Sequence, residues 1–236
     1  MTKSFEQLPL LLSYRKALGR DDFIVAPCNE EAVRWIARYP NWPYFAFLIC
    51  GEKGSGKTHL ASIFSDYHLD ARLLDDDFFL PEYVHKVVLE NVDKLKHESA
   101  LFHLFNYIKD SGKFLLMTAT TEPVFHLRDL VTRMNTVPRA IISMPDQDVL
   151  SMLLIKLFLD KHIHLPPNVL EYILKRLPPS FLLAQKLVDK ADTLSLSQNR
   201  AITIPLIKEA LDDVLSFTSL TSEQKQEDNQ LNLFDI

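Results

Sequence analysis

The chain has 236 residues, 47% of them apolar and 24% charged, with two cysteines and a formal net charge of −5. That balance is ordinary for a globular protein long enough to bury one large core or two small ones, and the few thiols predict a reducing, cytoplasmic setting. It excludes a disulfide framework, a membrane partner (the longest early apolar run is only LPLLL) and strong direct DNA binding, because the basic residues are scattered with no run longer than two.

Residues 1–22 read as an extended, connecting N-terminal extension, with Pro9 and Gly19 as breakers. Asn29 followed by Glu30 and Glu31 predicts a helix start with Asn29 as its N-cap; the helix runs to about Arg38 and stops before Pro40. YFAFLIC (Tyr44–Cys50) is a continuous apolar run ending at glycine, as expected of a strand buried on both faces. A helix should follow from Gly56 to about Tyr67. Further strands are expected at Ala71–Leu74, Val84–Leu89, Phe114–Thr118 and Ala140–Ser143, separated mostly by helices such as Glu98–Lys109. Strand and helix alternating in this way predict a parallel α/β sheet sandwiched by helices over 23–145. After Asp146 only helical period remains, in four segments divided by Pro166–Pro167 and Pro178–Pro179, so a small all-helical lid is expected over 146–217. Residues 218–236 begin polar and free of aromatics, as a flexible tail should, yet end in the apolar Leu231, Leu233 and Phe234.

The chemistry sits in CGEKGSGKTHL. Gly51-x-x-x-x-Gly56-Lys57-Thr58 is the phosphate-binding loop pattern, and three of the chain's five glycines fall within it, between a buried-strand signal and a helix. Glycines let the backbone wrap so that N–H groups converge on phosphate oxygens; Lys57 would meet the β- and γ-phosphates, the Thr58 hydroxyl would ligate Mg²⁺, and the helix start adds its positive end. Lys53, Gly54, Ser55 and His59 complete the expected nucleotide-binding stretch. Such a site needs a second strand ending in an acid that holds the magnesium shell, and KVVLENVD supplies Glu90. The next residue, where many such ATPases keep a water-orienting carboxylate, is Asn91, and an amide is no general base. The site should therefore bind nucleotide well and hydrolyse it poorly, with Asp93 a further acid nearby. Thr120, after the strand FLLMTAT, stands where a polar sensor would meet the γ-phosphate or the water. Arg133 in LRDLVTRM is either a solvated charge or a group reaching across a subunit boundary. His162 and His164 lack a third metal ligand of suitable spacing and read as a helix end, and Trp35 and Trp42 as packing.

DDFIVAPCNEEAVRWIARYPNWPYFAFLICGEKGSGKTHLA resembles the opening of the AAA+ domain of the bacterial replication initiator DnaA, in the order adenine-side segment (Phe23, Ile24), Asn29, helix, buried strand, phosphate loop. Nothing after the helical lid corresponds to that initiator's DNA-reading domain, and a lone module of this length resembles the DnaA-related AAA+ regulators of the Hda type over roughly 7–215. The resemblance implies ADP or ATP with Mg²⁺ as ligands and the DnaA initiator and the sliding clamp (the β subunit of DNA polymerase III) as partners. It gives Arg133 the role of an arginine finger that stimulates hydrolysis of DnaA-bound ATP in trans and so prevents re-initiation. It assigns clamp binding to an N-terminal peptide matched by QLPLLL, with Gln7, Leu8 and Leu10. QLNLF, with Gln230, Leu231, Leu233 and Phe234, matches the clamp-binding pentapeptide more closely still, so either end of the chain, or both, would engage the clamp. The lid carries no arginine around Phe181–Val188, Lys186 being the nearest cation, a departure that leaves ADP against ATP open. Self-assembly, a non-catalytic clamp-associated adaptor and a self-contained ATPase of the helicase-loader kind stand as alternatives.

Overall fold

The computed structural model describes residues 23–216, which fall into two compact units divided between Met144 and Pro145. The first is an α/β unit: α1 (Glu30–Arg38), β1 (Ala46–Gly51), α2 (Lys57–Phe64), β2 (His68–Asp70), β3 (Lys86–Glu90), α3 (Glu98–Asp110), β4 (Phe114–Ala119), α4 (Arg128–Met134) and β5 (Arg139–Ile142). The sheet runs in the order β2-β3-β4-β1-β5 with every neighbouring pair parallel. β1 is buried at all six positions, which explains an apolar run with no alternation: helices cover both faces, so neither can be polar. On one face Trp42 stacks on Phe64 at 5.0 Å and Trp35 on Phe47 at 4.6 Å, and the Trp42 indole N–H donates to the Trp35 carbonyl at 2.7 Å. On the other, Leu101, Leu104, Phe105 and Ile108 of α3 pack fully buried against the sheet.

Three of the boundaries that differ from expectation do so for a local polar reason. The helix after the glycine loop ends at Phe64 rather than near Tyr67, because the Ser65 hydroxyl donates to the Lys86 carbonyl and accepts the Tyr67 N–H at 3.0 Å, turning the chain into β2. The strand expected at Ala71–Leu74 is instead His68–Asp70. The Asp70 carboxylate takes the Arg72 N–H at 3.0 Å and pairs with its guanidinium, which folds the chain over. The strand expected at Val84–Leu89 starts at Lys86, since residues 71–85 are held as a loop: Lys113, only 4% exposed, donates its ammonium to the carbonyls of Glu82 and Val84.

The second unit is helical: α5 (Gln147–Asp160), α6 (Pro167–Leu174), α7 (Phe181–Gln198) and α8 (204–216). Asp146 caps α5 by accepting the Val149 N–H at 2.8 Å, Pro167 opens α6 with its missing donor where none is needed, and Ser180 caps α7 through Leu183. His162 closes α5 at φ 60°, its N–H on Leu159 O and that of Ile163 on Phe158 O, a left-handed C-terminal cap formed by a non-glycine residue. Leu154, Phe158, Ile173, Leu187, Leu206 and Ile207 form the centre of its core. Among the described residues no helix is long and apolar enough to cross a membrane.

Candidate functional site

The sheet order places the site. β1 lies between β4 and β5 while the next strand in sequence, β2, lies at the far edge, so the chain changes direction at β1, and ligands in open parallel sheets bind outside the carboxyl ends of the strands at such a point. Gly51 ends β1, Glu90 ends β3 and Thr120 comes directly after β4, and the register pairs Cys50 with Ala119 and Leu89 with Met117, so these ends are level.

From Gly51 the chain turns through a tight loop. Gly54 and Gly56 have φ of 85° and 93°, which disfavours any side chain there. A Cβ at Gly51 would meet Ser55 Oγ at 2.8 Å, and one at Gly56 would meet Phe23 Cε2 at 2.8 Å. Ser55 is 3% exposed and its buried hydroxyl has no hydrogen-bond partner, a cost tolerated where another group completes the set. The Lys57 ammonium is folded back onto the loop, donating to Gly51 O at 2.6 Å and Glu52 O at 2.8 Å, and burial pulls its pKa down from the ordinary lysine value. Those carbonyls are replaceable acceptors: a phosphate oxygen with a full charge would compete well for the same ammonium. Cys50, just before the loop, is buried, and burial pushes its thiol up, so it fills core space.

Thr58 donates its hydroxyl to Glu90 Oε2 at 3.0 Å, bringing the two expected magnesium residues together. Glu90 also binds the His68 ring, Nδ1 lying 2.9 Å from Oε1, while His68 Nε2 faces the Ser65 carbonyl at 2.8 Å. The hydrogen bond to Glu90 raises the His68 pKa, and the same bond holds that of Glu90 below the usual carboxylate range. Asn91 adopts a left-handed backbone (φ 60°, ψ 40°) and its amide donates to Asp70 Oδ2 at 3.3 Å. Asp70, held at about 2 chiefly by the hydrogen bond from Arg72, is ionised at neutral pH. Asp93 accepts the Thr120 N–H at 3.0 Å, so its carboxylate braces the end of β4.

Before α1, Asn29 stands at the N-cap position, but its side chain makes no cap bond, contrary to expectation. Its amide instead donates to Ile24 O at 2.8 Å and its oxygen accepts the Ala26 N–H at 2.9 Å, clipping residues 24–26 into a fixed turn while itself 4% exposed. That turn brings the Phe23 ring edge-on to His59 at 5.1 Å and against Gly56.

Arg133 engages α3. Its guanidinium donates to Asn106 Oδ1 and lies 4.6 Å from the Phe102 ring centroid. The Glu98 carboxylate at the start of α3 accepts the N–H groups of His126 and Leu127, which fastens the entry of α4 to the same helix. His68, Phe102 and Asn106 carried no signal in the sequence, because only strand pairing and helix packing bring them to their partners. Gln7, Leu8, Leu10, Gln230, Leu231, Leu233 and Phe234 lie outside the described residues.

Residues 147–211 match the family model described as "Hda, lid domain". The chain is 30% identical over 190 residues to an uncharacterized protein of Haemophilus influenzae, covering 70% of this chain and 80% of that one. It is 24% identical over 227 residues to the chromosomal replication initiator protein DnaA of Helicobacter pylori, covering 82% of this chain and 50% of that one, so it spans about half the length of that relative. Domain III of the Thermotoga maritima replication initiation protein DnaA superposes with a TM-score of 0.70 at 21% identity, over 82% of this chain and 95% of that one, a likeness of fold. A five-stranded parallel AAA+ sheet and a helical lid of this kind, with these relatives, leave one assignment: the chain belongs to the DnaA-related AAA+ proteins of the Hda type.

Proposed function

We propose that the glycine loop holds ADP or ATP with Mg²⁺ as a resident ligand, and that the chain acts on a second nucleotide, the ATP bound by DnaA. The residues fit the first role: a left-handed glycine cradle, an unpartnered Ser55 hydroxyl within it, a displaceable Lys57 ammonium and the Thr58–Glu90 pair. Thr58 and Glu90 would hold the cation, Oγ1 directly and the carboxylate through water, and Phe23 and Ile24 would flank the base. A bound magnesium ion would neutralise charge on the phosphate oxygens.

The second role rests on the residues immediately beyond Glu90. Asn91, Asp70 and Arg72 form one hydrogen-bonded group, and Asp93 is committed to the Thr120 backbone. Asn91 is an amide and no general base, and the Asp93 carboxylate already has one oxygen on the Thr120 N–H, which favours a nucleotide in this loop being held rather than turned over. Arg133, by contrast, is a cation presented on α4 and braced by Asn106 and Phe102. A braced guanidinium suits delivery into a neighbour's site, where an arginine finger contributes on the order of 10³–10⁵ in rate. Tethering to the sliding clamp through residues 7–12, 230–234 or both would supply proximity to DnaA on DNA.

The test is hydrolysis of ATP pre-bound to DnaA in the presence of DNA-loaded clamp, comparing the unaltered chain with Arg133→Ala. Stimulation that disappears in the variant supports the reading. Equal stimulation by both moves the finger elsewhere, and stimulation by neither sinks hydrolysis in trans and leaves a clamp-associated adaptor.

A further inference from the structure

We propose that His68 is the positioning residue for the Glu90 carboxylate and, through it, for the divalent cation that accompanies the bound nucleotide; this role rests on the glycine loop being a nucleotide site. Both nitrogens of the ring face acceptors. Nδ1 lies 2.9 Å from a carboxylate oxygen and Nε2 lies 2.8 Å from a main-chain carbonyl. Each ring nitrogen therefore has an acceptor within hydrogen-bonding distance, so the ring is held at both ends. The residue carrying that carbonyl is itself tied down: Ser65 is 5% exposed, its hydroxyl is bonded to Lys86 O, and its own N–H is bonded to Ala61 O. Main chain, imidazole and carboxylate thus form one continuous hydrogen-bonded line that ends at Thr58.

This line orients Glu90. With Oε1 taken by His68, Oε2 is the oxygen turned to the Thr58 hydroxyl, the side from which a cation's water shell would approach. The register also places Asp70 directly opposite Glu90 on the neighbouring strand, and two carboxylates so placed repel. Each is given its own partner, Arg72 for Asp70 and His68 for Glu90. Without His68, only the Thr58 hydroxyl would hold Glu90 against the repulsion from Asp70, and its direction towards the cation would be less well fixed. Groups that orient a metal-binding carboxylate from behind are commonly worth about 10–100-fold in metal affinity.

The experiment measures equilibrium binding of a fluorescent, slowly hydrolysed ATP analogue to the full chain, with magnesium and with EDTA. It compares the unaltered protein, His68→Ala and His68→Gln. The gain in nucleotide affinity due to magnesium should fall about tenfold or more in His68→Ala. It should be largely kept in His68→Gln, whose amide retains one N–H for Glu90, and affinity in EDTA should be unchanged in both. A magnesium gain in His68→Ala equal to or above that of the unaltered chain overturns the proposal. So does a loss of affinity that is the same in EDTA, which would mark a purely structural contact. His68→Leu, filling the ring's volume without a donor, repeats the comparison should the alanine variant fail to fold. Failure of the unaltered chain to bind the analogue in either condition would remove the nucleotide reading itself, and this role with it.

Discussion

Gly56 combines two requirements at one residue, a φ of +93° and the Phe23 ring 2.8 Å from where a Cβ would sit. Gly56→Ala should cost about 1–2 kcal/mol from the left-handed backbone alone, and the displaced ring should lower nucleotide affinity as well; denaturant unfolding and fluorescent-nucleotide titration read the two effects separately. Asn29→Ala would strand the buried Ala26 N–H and free Ile24 O. A loss of about 1–3 kcal/mol per unsatisfied group is expected in denaturant unfolding, with Asn29→Asp also destabilising because it keeps the acceptor and loses the donor. The His68–Glu90 pair predicts a pH dependence whose sign is set by linkage. The raised His68 pKa contributes stability that is complete below the ordinary histidine value of 6.5 and is lost as pH rises through the folded value. The lowered Glu90 pKa contributes stability present above its ordinary 4.5 and lost as pH falls through its folded value. The difference in unfolding free energy between the ligand-free chain and His68→Ala should therefore be greatest between those two ordinary values and shrink on the alkaline side. A difference that grows with pH above neutrality would contradict the assignment.

Among elements, α4 shows how a short helix can hold one side chain with some accuracy. Seven residues give little intrinsic stability, so its direction comes from α3: Glu98 takes the N–H groups that precede it, and Asn106 and Phe102 take the arginine near its end. Asn106→Ala should reduce DnaA-ATP hydrolysis in the clamp-dependent assay while leaving the chain's own nucleotide affinity intact, because Asn106 touches Arg133 and not the glycine loop. The loop 71–85 is a different solution. It has no regular structure, yet Leu74, Leu80 and Val84 are buried and Lys113 holds its carbonyls, so an irregular segment is kept in one shape by a cation beneath it. In the helical unit, Asp146→Ala removes the α5 cap and should cost about 1 kcal/mol in denaturant unfolding.

At the scale of the whole molecule, a glycine loop of the phosphate-binding pattern, a braced arginine and a candidate clamp peptide towards each end suit a protein that brings other components together. If both candidate peptides engage one clamp ring, deleting 230–236 or 1–12 alone should weaken clamp binding, deleting both should abolish it, and their combined avidity should exceed either alone by roughly 10²–10⁴; if only one engages it, deleting that one alone should abolish binding. Legibility in the sequence depended on the range of the interaction concerned. Backbone conformation and hydrophobic period are local, so the glycine loop, the wholly apolar β1, and the helical segments beginning at Asp146, Pro167 and Ser180 could be read from neighbouring residues. Where local signals failed, a polar side chain had intervened: Ser65 ended α2 early, Asp70 turned β2, and Asn29 clipped the preceding turn instead of capping α1. Partners far apart in the chain were not legible at all. His68 meets Glu90 across 22 residues and Asn106 meets Arg133 across 27, and nothing in either stretch marks the other. Neighbouring residues alone set the chemistry available, a glycine loop of the phosphate-binding pattern with an amide in place of a second acid. The tertiary structure decided which groups hold that chemistry in place, because strand register and helix packing alone choose which distant side chains come within hydrogen-bonding distance.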